Sequence, residues 1–303
     1  MRRRTFIQSV GTAGMFSLLD FIRPRGSARA EERVSRAPGF SGPFDLAFEP
    51  SGNLLVTDPP GYRVLRLDSS NRPIAGIGGP GAETGKLNFP RGLAIDAQGL
   101  IYVVDSNNCR VQVFDANGKV KQVVGSIGAI GGTFATPQGI CVDQAGRVLV
   151  ADTRNHRIQI FEQGKLTAVL GDLGDDPGQF RLPTACGVNA DNEILVLDSK
   201  HGLVKVFGRD LKFKKSFGGV GSEPGKLNMP QGMKLDSRGN VWVADTGNRR
   251  IQQFSPEGAL VSCIGWKGLV PEEFIAPTGI ALTENKIYVA DNGDGRIRVL
   301  SRT

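Results

Sequence analysis

The chain has 303 residues, 40% of them apolar and 22% charged, a globular balance long enough for one large domain or two ordinary ones. Forty-one glycines set against 16 Phe, 3 Tyr and 2 Trp point to a turn-dense, all-β protein. The formal charge of +7 invites a nucleic-acid reading, but residues 1–30 hold six Arg and one Asp, and the remainder has 31 basic and 29 acidic residues. The body is nearly neutral, which argues against a nucleic-acid partner.

The first segment reads as a leader. Arg3-Arg4-Thr5-Phe6-Ile7-Gln8 sets two arginines before a variable residue and an apolar pair. The run from Phe6 to Ile22 is diluted by Gly11, Thr12, Gly14 and Ser17 and broken by Asp20, so it is too weak and too short for a membrane span. Arg23-Pro24-Arg25 adds positive charge, and Ala28-Arg29-Ala30 has a small-x-small cleavage pattern. The segment resembles a twin-arginine export signal. That resemblance implies a signal peptide over residues 1–30, export of an already folded domain, and a periplasmic or extracellular location. The membrane is then met only during export, and folding in a reducing cytoplasm needs no disulfide. No cysteine near the leader's end offers a lipid anchor.

From residue 31 onward the chain repeats itself. A proline recurs at Pro43, Pro90, Pro137, Pro183, Pro230 and Pro277, at spacings of 46 or 47 residues. Three residues before each stands Phe40, Leu87, Phe134, Phe180, Leu227 or Phe274. An aspartate follows at Asp58, Asp105, Asp152, Asp198, Asp245 and Asp291, fifteen residues on, or fourteen in the last copy. Five residues beyond it come Arg63, Arg110, Arg157, Leu203, Arg250 and Arg296. Each copy predicts three clear strands and a weaker fourth, in the second copy over 92–96, 100–104, 110–114 and 120–124. Glycines such as Gly99 and Gly118 mark hairpin turns too short for parallel pairing. Four antiparallel strands at this period describe a propeller blade.

The lead-in Gly-x-Phe/Leu-x-x-Pro-x-Gly, the Asp-x-x-Gly turn, the strand ending Trp242-Val243-Ala244-Asp245 or Tyr288-Val289-Ala290-Asp291, and the strand Asn-x-Arg-Ile-Gln-x-Phe together resemble the NHL repeat. The resemblance covers roughly residues 39–300 and implies an all-β, six-bladed β-propeller of four-stranded antiparallel blades over residues 31–303. The last copy stops after its third strand. Glu32-Arg33-Val34-Ser35-Arg36 is therefore expected to add the missing strand, so that the N-terminal piece closes the ring. A monomer is expected.

The aspartate and arginine ladders read as scaffold, because a residue required in every copy answers a need of every copy. The carboxylate is expected to accept hydrogen bonds from the backbone N–H groups of the loop that follows it. Function is expected where the copies differ, on the face that carries the lead-in loops and the loops after the second strands, around the channel mouth. Phe44, Asp45, Arg91, Gln138 and Gln231 vary in the lead-ins; Arg154, His156, Lys200, His201 and Arg249 vary in the second-strand loops. This polar, partly basic ring suits a protein, peptide, glycan or small ligand, bound without catalysis and without a cofactor.

Some six-bladed relatives of such repeats are amidating lyases or calcium-dependent lactonases. The alternative implied by that resemblance is a metal at the channel mouth held by His156, His201 and Asp45, in a lyase or hydrolase. The sequence has only these two histidines and no Gly-x-Ser-x-Gly elbow. Cys109, Cys141, Cys186 and Cys263 form no Cys-x-x-Cys motif. Cys141 and Cys186 read as small buried apolar residues on neighbouring inner strands, with a disulfide between them not favoured. Cys109, in a loop, is expected to be the accessible one.

Overall fold

A computed structural model describes residues 39–265 and 274–302. The expected leader and the expected closing strand at residues 31–37 lie outside the described residues.

The six copies form six antiparallel sheets, each in meander order from an inner to an outer strand. Blade three runs Ile140–Val142, Val148–Asp152, Arg157–Glu162 and Lys165–Leu170. Five sheets have four strands; that of blade six shows three among the described residues, Pro277–Leu282, Lys286–Asp291 and Arg296–Ser301. In blades one to five the pairing of the third and outer strands shifts register just before the end of the third strand, as at Ile160/Phe161. Such a bulge sharpens the twist that lets neighbouring blades nest.

The burial pattern explains why three strands per copy were plain in the sequence and the fourth was not. Second strands such as Leu54–Asp58 and Ile194–Asp198 are buried at every residue, so they read as continuous apolar runs. The outer strand Val120–Val124 is exposed at its three central residues and is free to be polar. The core is divided among the blade interfaces. Between blades three and four, Leu149, Ile158 and Ile160 meet Cys186, Ile194, Val196 and Phe207. Between blades six and one, Ala281, Ala290 and Ile297 meet Leu46, Val56 and Leu65, so packing joins the two ends of the ring. Thr278 Oγ1 donates to the Phe44 carbonyl at 2.8 Å across the same junction.

All six ladder aspartates are fully buried. Each accepts backbone N–H from the lead-in loop that precedes its blade: Asp152 from Ala135 at 2.8 Å, Asp245 from Asn228 at 2.7 Å and Asp58 from Gly42 at 3.0 Å. This corrects the expected direction, since in blades one, two, three and five the aspartate makes no cap hydrogen bond to the one-turn helix that follows it. The scaffold role stands, with the lead-in as its object. The other carboxylate oxygen takes an arginine Nε, from Arg110 at 2.7 Å, Arg157 at 2.8 Å and Arg250 at 2.7 Å. In blade six the partner is Arg298 at 3.0 Å rather than Arg296, which reaches Asp294 at 3.7 Å.

Candidate functional site

The lead-in loops and the second-strand loops meet at one end of the channel, around a pocket of about 460 Å³. Arg91, Gln138, Thr184 and Gln231, each following an anchor proline, line it. Thr153, Arg154, His156 and Ser199, from the second-strand loops, line it too. The propeller thus gathers Arg91, Gln138, Arg154, His156 and Gln231 from three blades.

Arg91 is held between two aromatic rings, its guanidinium carbon 5.0 Å from the Phe44 centroid and 5.4 Å from that of Phe89. Its Nε is buried and without a partner, and burial pushes its pKa down. The Gln138 Oε1 and Ser199 Oγ atoms are likewise buried and unpartnered. Among the described residues five buried side-chain polar atoms lack a partner, and three of them belong to residues of this pocket. Buried polar groups are ordinarily paired, because leaving one unpaired costs about 1–3 kcal/mol.

His156 is fixed by its backbone. The Leu182 N–H donates to its Nδ1 at 3.1 Å, so the neutral ring carries its proton on Nε2 and offers a donor. Burial lowers its pKa; Asp198 opposes that shift and Arg181 adds to it. His156 also has φ +56°, the left-handed position that ends the one-turn helix Thr153–Asn155. Tyr62, Cys109 and Arg249 stand there in blades one, two and five, and Gly202 and Gly295 in blades four and six. The loop slot that varies most in sequence is therefore conformationally the same in every blade.

Other candidates stand apart. Lys200 and Arg249 are exposed and line no wall of the pocket. Asp45 lines the channel beneath, where its carboxylate accepts from Leu46 N–H at 2.9 Å and Leu93 N–H at 3.0 Å. Burial raises its pKa, with Lys234 and those two hydrogen bonds opposing. His201 gives both ring nitrogens to carboxylates, Nδ1 to Asp198 at 2.6 Å and Nε2 to Asp175 at 2.8 Å. Together with Lys205 Nζ, 3.2 Å from Asp198, it replaces the arginine that Leu203 denies to blade four. His156, His201 and Asp45 are thus three separately occupied groups. No cluster of three or more His, Cys, Asp or Glu side chains that could hold a metal occurs among the described residues. Cys109 corrects another expectation, since at 5% exposure it packs with Val104, Val111 and Phe134.

Sequence reasoning missed Leu182 and Met229, which also line the pocket. Each precedes an anchor proline and is left-handed, φ +60° and +45°, as are Phe89 and Thr136 at the same position of blades two and three. A left-handed residue before proline is uncommon and turns its side chain toward the mouth. None of the four is Gly or Asn, so only the position relative to the proline could have flagged them.

The NHL repeat model matches residues 87–114, 134–161 and 227–254. Blades two, three and five carry NHL repeats. No curated protein matches the chain. Among solved structures, a catalytically inactive virginiamycin B lyase from Staphylococcus aureus with quinupristin is similar over 91% of this chain and 99% of its own, at 13% identity and TM-score 0.63. A gluconolactonase from Xanthomonas campestris is similar over 92% of this chain and 98% of its own, at 15% identity and TM-score 0.66. Hydrazine synthase from Kuenenia stuttgartiensis is similar over 89% of this chain and 99% of its own, at 12% identity and TM-score 0.60. At such identities the likeness is one of fold.

Proposed function

We propose that this NHL-type propeller is an exported, monomeric binding module without catalytic activity, and that its channel mouth takes a small anionic ligand. The observation that carries the reading is Arg91. It is a part-buried guanidinium held by two rings, with an unpartnered Nε and no carboxylate against it among the described residues. A carboxylate or phosphate oxyanion would satisfy that group through charge-assisted hydrogen bonds. Gln138, Ser199 and the His156 Nε2–H stand ready to hold the remaining polar atoms of such a ligand. Export rests on the twin-arginine leader alone.

The lyase or lactonase alternative draws on fold likeness only. Its three candidate ligands serve other partners: Asp45 two backbone N–H groups, His156 the Leu182 N–H, and His201 two carboxylates.

Thermal-shift and calorimetric titration with succinate, citrate, inorganic phosphate and, as a neutral control, glucose tests the reading. One or more of the anions should raise the melting temperature of the unsubstituted protein, and Arg91→Gln should abolish that rise. If none of the anions shifts it, or if Arg91→Gln leaves the shift intact, the anion-binding reading fails.

A further inference from the structure

Below the mouth, the channel holds a cavity of about 200 Å³ with two cysteines, Cys141 and Cys186, in its wall. Cys141 lies on the inner strand of blade three and Cys186 on that of blade four. They come from different register positions. Cys141 pairs with Leu149 and Cys186 with Val196, so each can face the other across the blade interface. Their Sγ atoms are 3.3 Å apart, and Cys186 Sγ is also 3.3 Å from the Leu149 carbonyl oxygen, to which its thiol donates. Cys141 is partly open to the channel, whereas Cys186 is only 6% exposed. Two such thiols need approach by little more than one ångström to reach bonding distance. A metal held linearly by both, with bonds near 2.3 Å, would instead require them to separate.

We infer that Cys141 and Cys186 form a channel-lining dithiol that a small aliphatic disulfide oxidises to an intramolecular disulfide joining blades three and four. The more open Cys141 reacts first. Its thiol loses a proton to water, and the thiolate attacks one sulfur of the oxidant. A mixed disulfide forms and one thiolate leaves. Cys186, deprotonated in turn, then attacks the Cys141 sulfur; the internal disulfide forms and the second thiolate leaves. The two cysteines lose two electrons and two protons, and the oxidant becomes two thiols. Contact with Cys141 is the first reason the Cys186 thiol is held well above its ordinary pKa, with burial second. Cys186 is therefore the poorer nucleophile for the first step. The new bond would tie together the two lead-ins that give Gln138 and Thr184 to the mouth.

The test uses the full chain, purified and reduced, then incubated with bis(2-hydroxyethyl) disulfide. The sample is quenched in acid, unfolded, alkylated and mapped by mass spectrometry. The expected product has lost two hydrogens and yields a linked Cys141–Cys186 peptide, with Cys109 and Cys263 alkylated. Cys186→Ser should stop at a hydroxyethylthio adduct on Cys141. Separately alkylated Cys141 and Cys186, an adduct persisting on Cys141 of the unsubstituted protein, or an unmodified Cys141 in Cys186→Ser would each overturn the proposal.

Discussion

His156 shows how one side chain can serve scaffold and pocket together. Its Nδ1 accepts the Leu182 N–H, which ties blade three to the lead-in of blade four, while Nε2 remains for the mouth. Its depressed pKa has a consequence for stability. The folded protein binds this proton less readily than the unfolded chain, whose histidines titrate near pH 6.5. The stabilisation is therefore complete above about pH 6.5 and is lost as the pH falls through the lower, folded value. Urea unfolding at pH 7 and pH 5.5 should give a larger drop in midpoint for the unsubstituted protein than for His156→Gln. Equal drops would count against the assigned tautomer. Carboxylates elsewhere contribute equally to both proteins and cancel in the comparison.

At the scale of the element, the blade is a sheet whose second strand ends in a buried carboxylate that holds the lead-in loop. Asp245 is the clearest case. It accepts the Asn228 N–H and pairs with Arg250, and both side chains of the pair are fully buried. Removing one partner of a buried pair leaves the other charge uncompensated, at a cost of about 3–5 kcal/mol. Asp245→Ala should lose that much in denaturant unfolding. Arg63→Ala in blade one should lose less than Asp245→Ala, because that arginine is 38% exposed and its removal lets water reach the Asp58 oxygen it served, although Asp58 is itself buried. A similar loss in both would mean that the ladder acts through something other than buried charge. Glycine recurs in the lead-ins for a second reason. A Cβ on Gly139 would stand 2.4 Å from the Thr184 carbonyl, so the backbones of adjacent blades approach too closely for a side chain there.

At the scale of the molecule, the ring is held by interfaces between blades, and the junction of blades six and one is one more of these. Thr278 and Asn292 both reach lead-in carbonyls of blade one there, at Phe44 and Pro43. The third strand of blade six, Arg296–Ser301, has no outer partner among the described residues. If residues 31–37 supply it, as the sequence leads one to expect, their deletion should lower the melting temperature markedly. An unchanged value would place the closing interaction elsewhere. The same ring construction makes the candidate site. Arg91, His156 and Gln231 stand in three different blades and become neighbours only because those blades share one axis.

What the sequence determined by itself was whatever repeats. Six copies of a strand pattern, six prolines and six aspartates define the blade and the number of blades, because each copy must satisfy the same backbone and the same interface. It also marked the loops where copies differ, and five of the residues it singled out, Arg91, Gln138, Arg154, His156 and Gln231, line one pocket. The tertiary structure decided what the unrepeated residues do, since their partners lie in neighbouring blades or in turns without a residue signature. It assigned His201 to the place of a missing arginine, buried Cys109, turned Leu182 and Met229 into the mouth and set Cys141 against Cys186. Spacing along the chain is enough to find a repeated contact. A contact made once between two blades is set by how those blades pack.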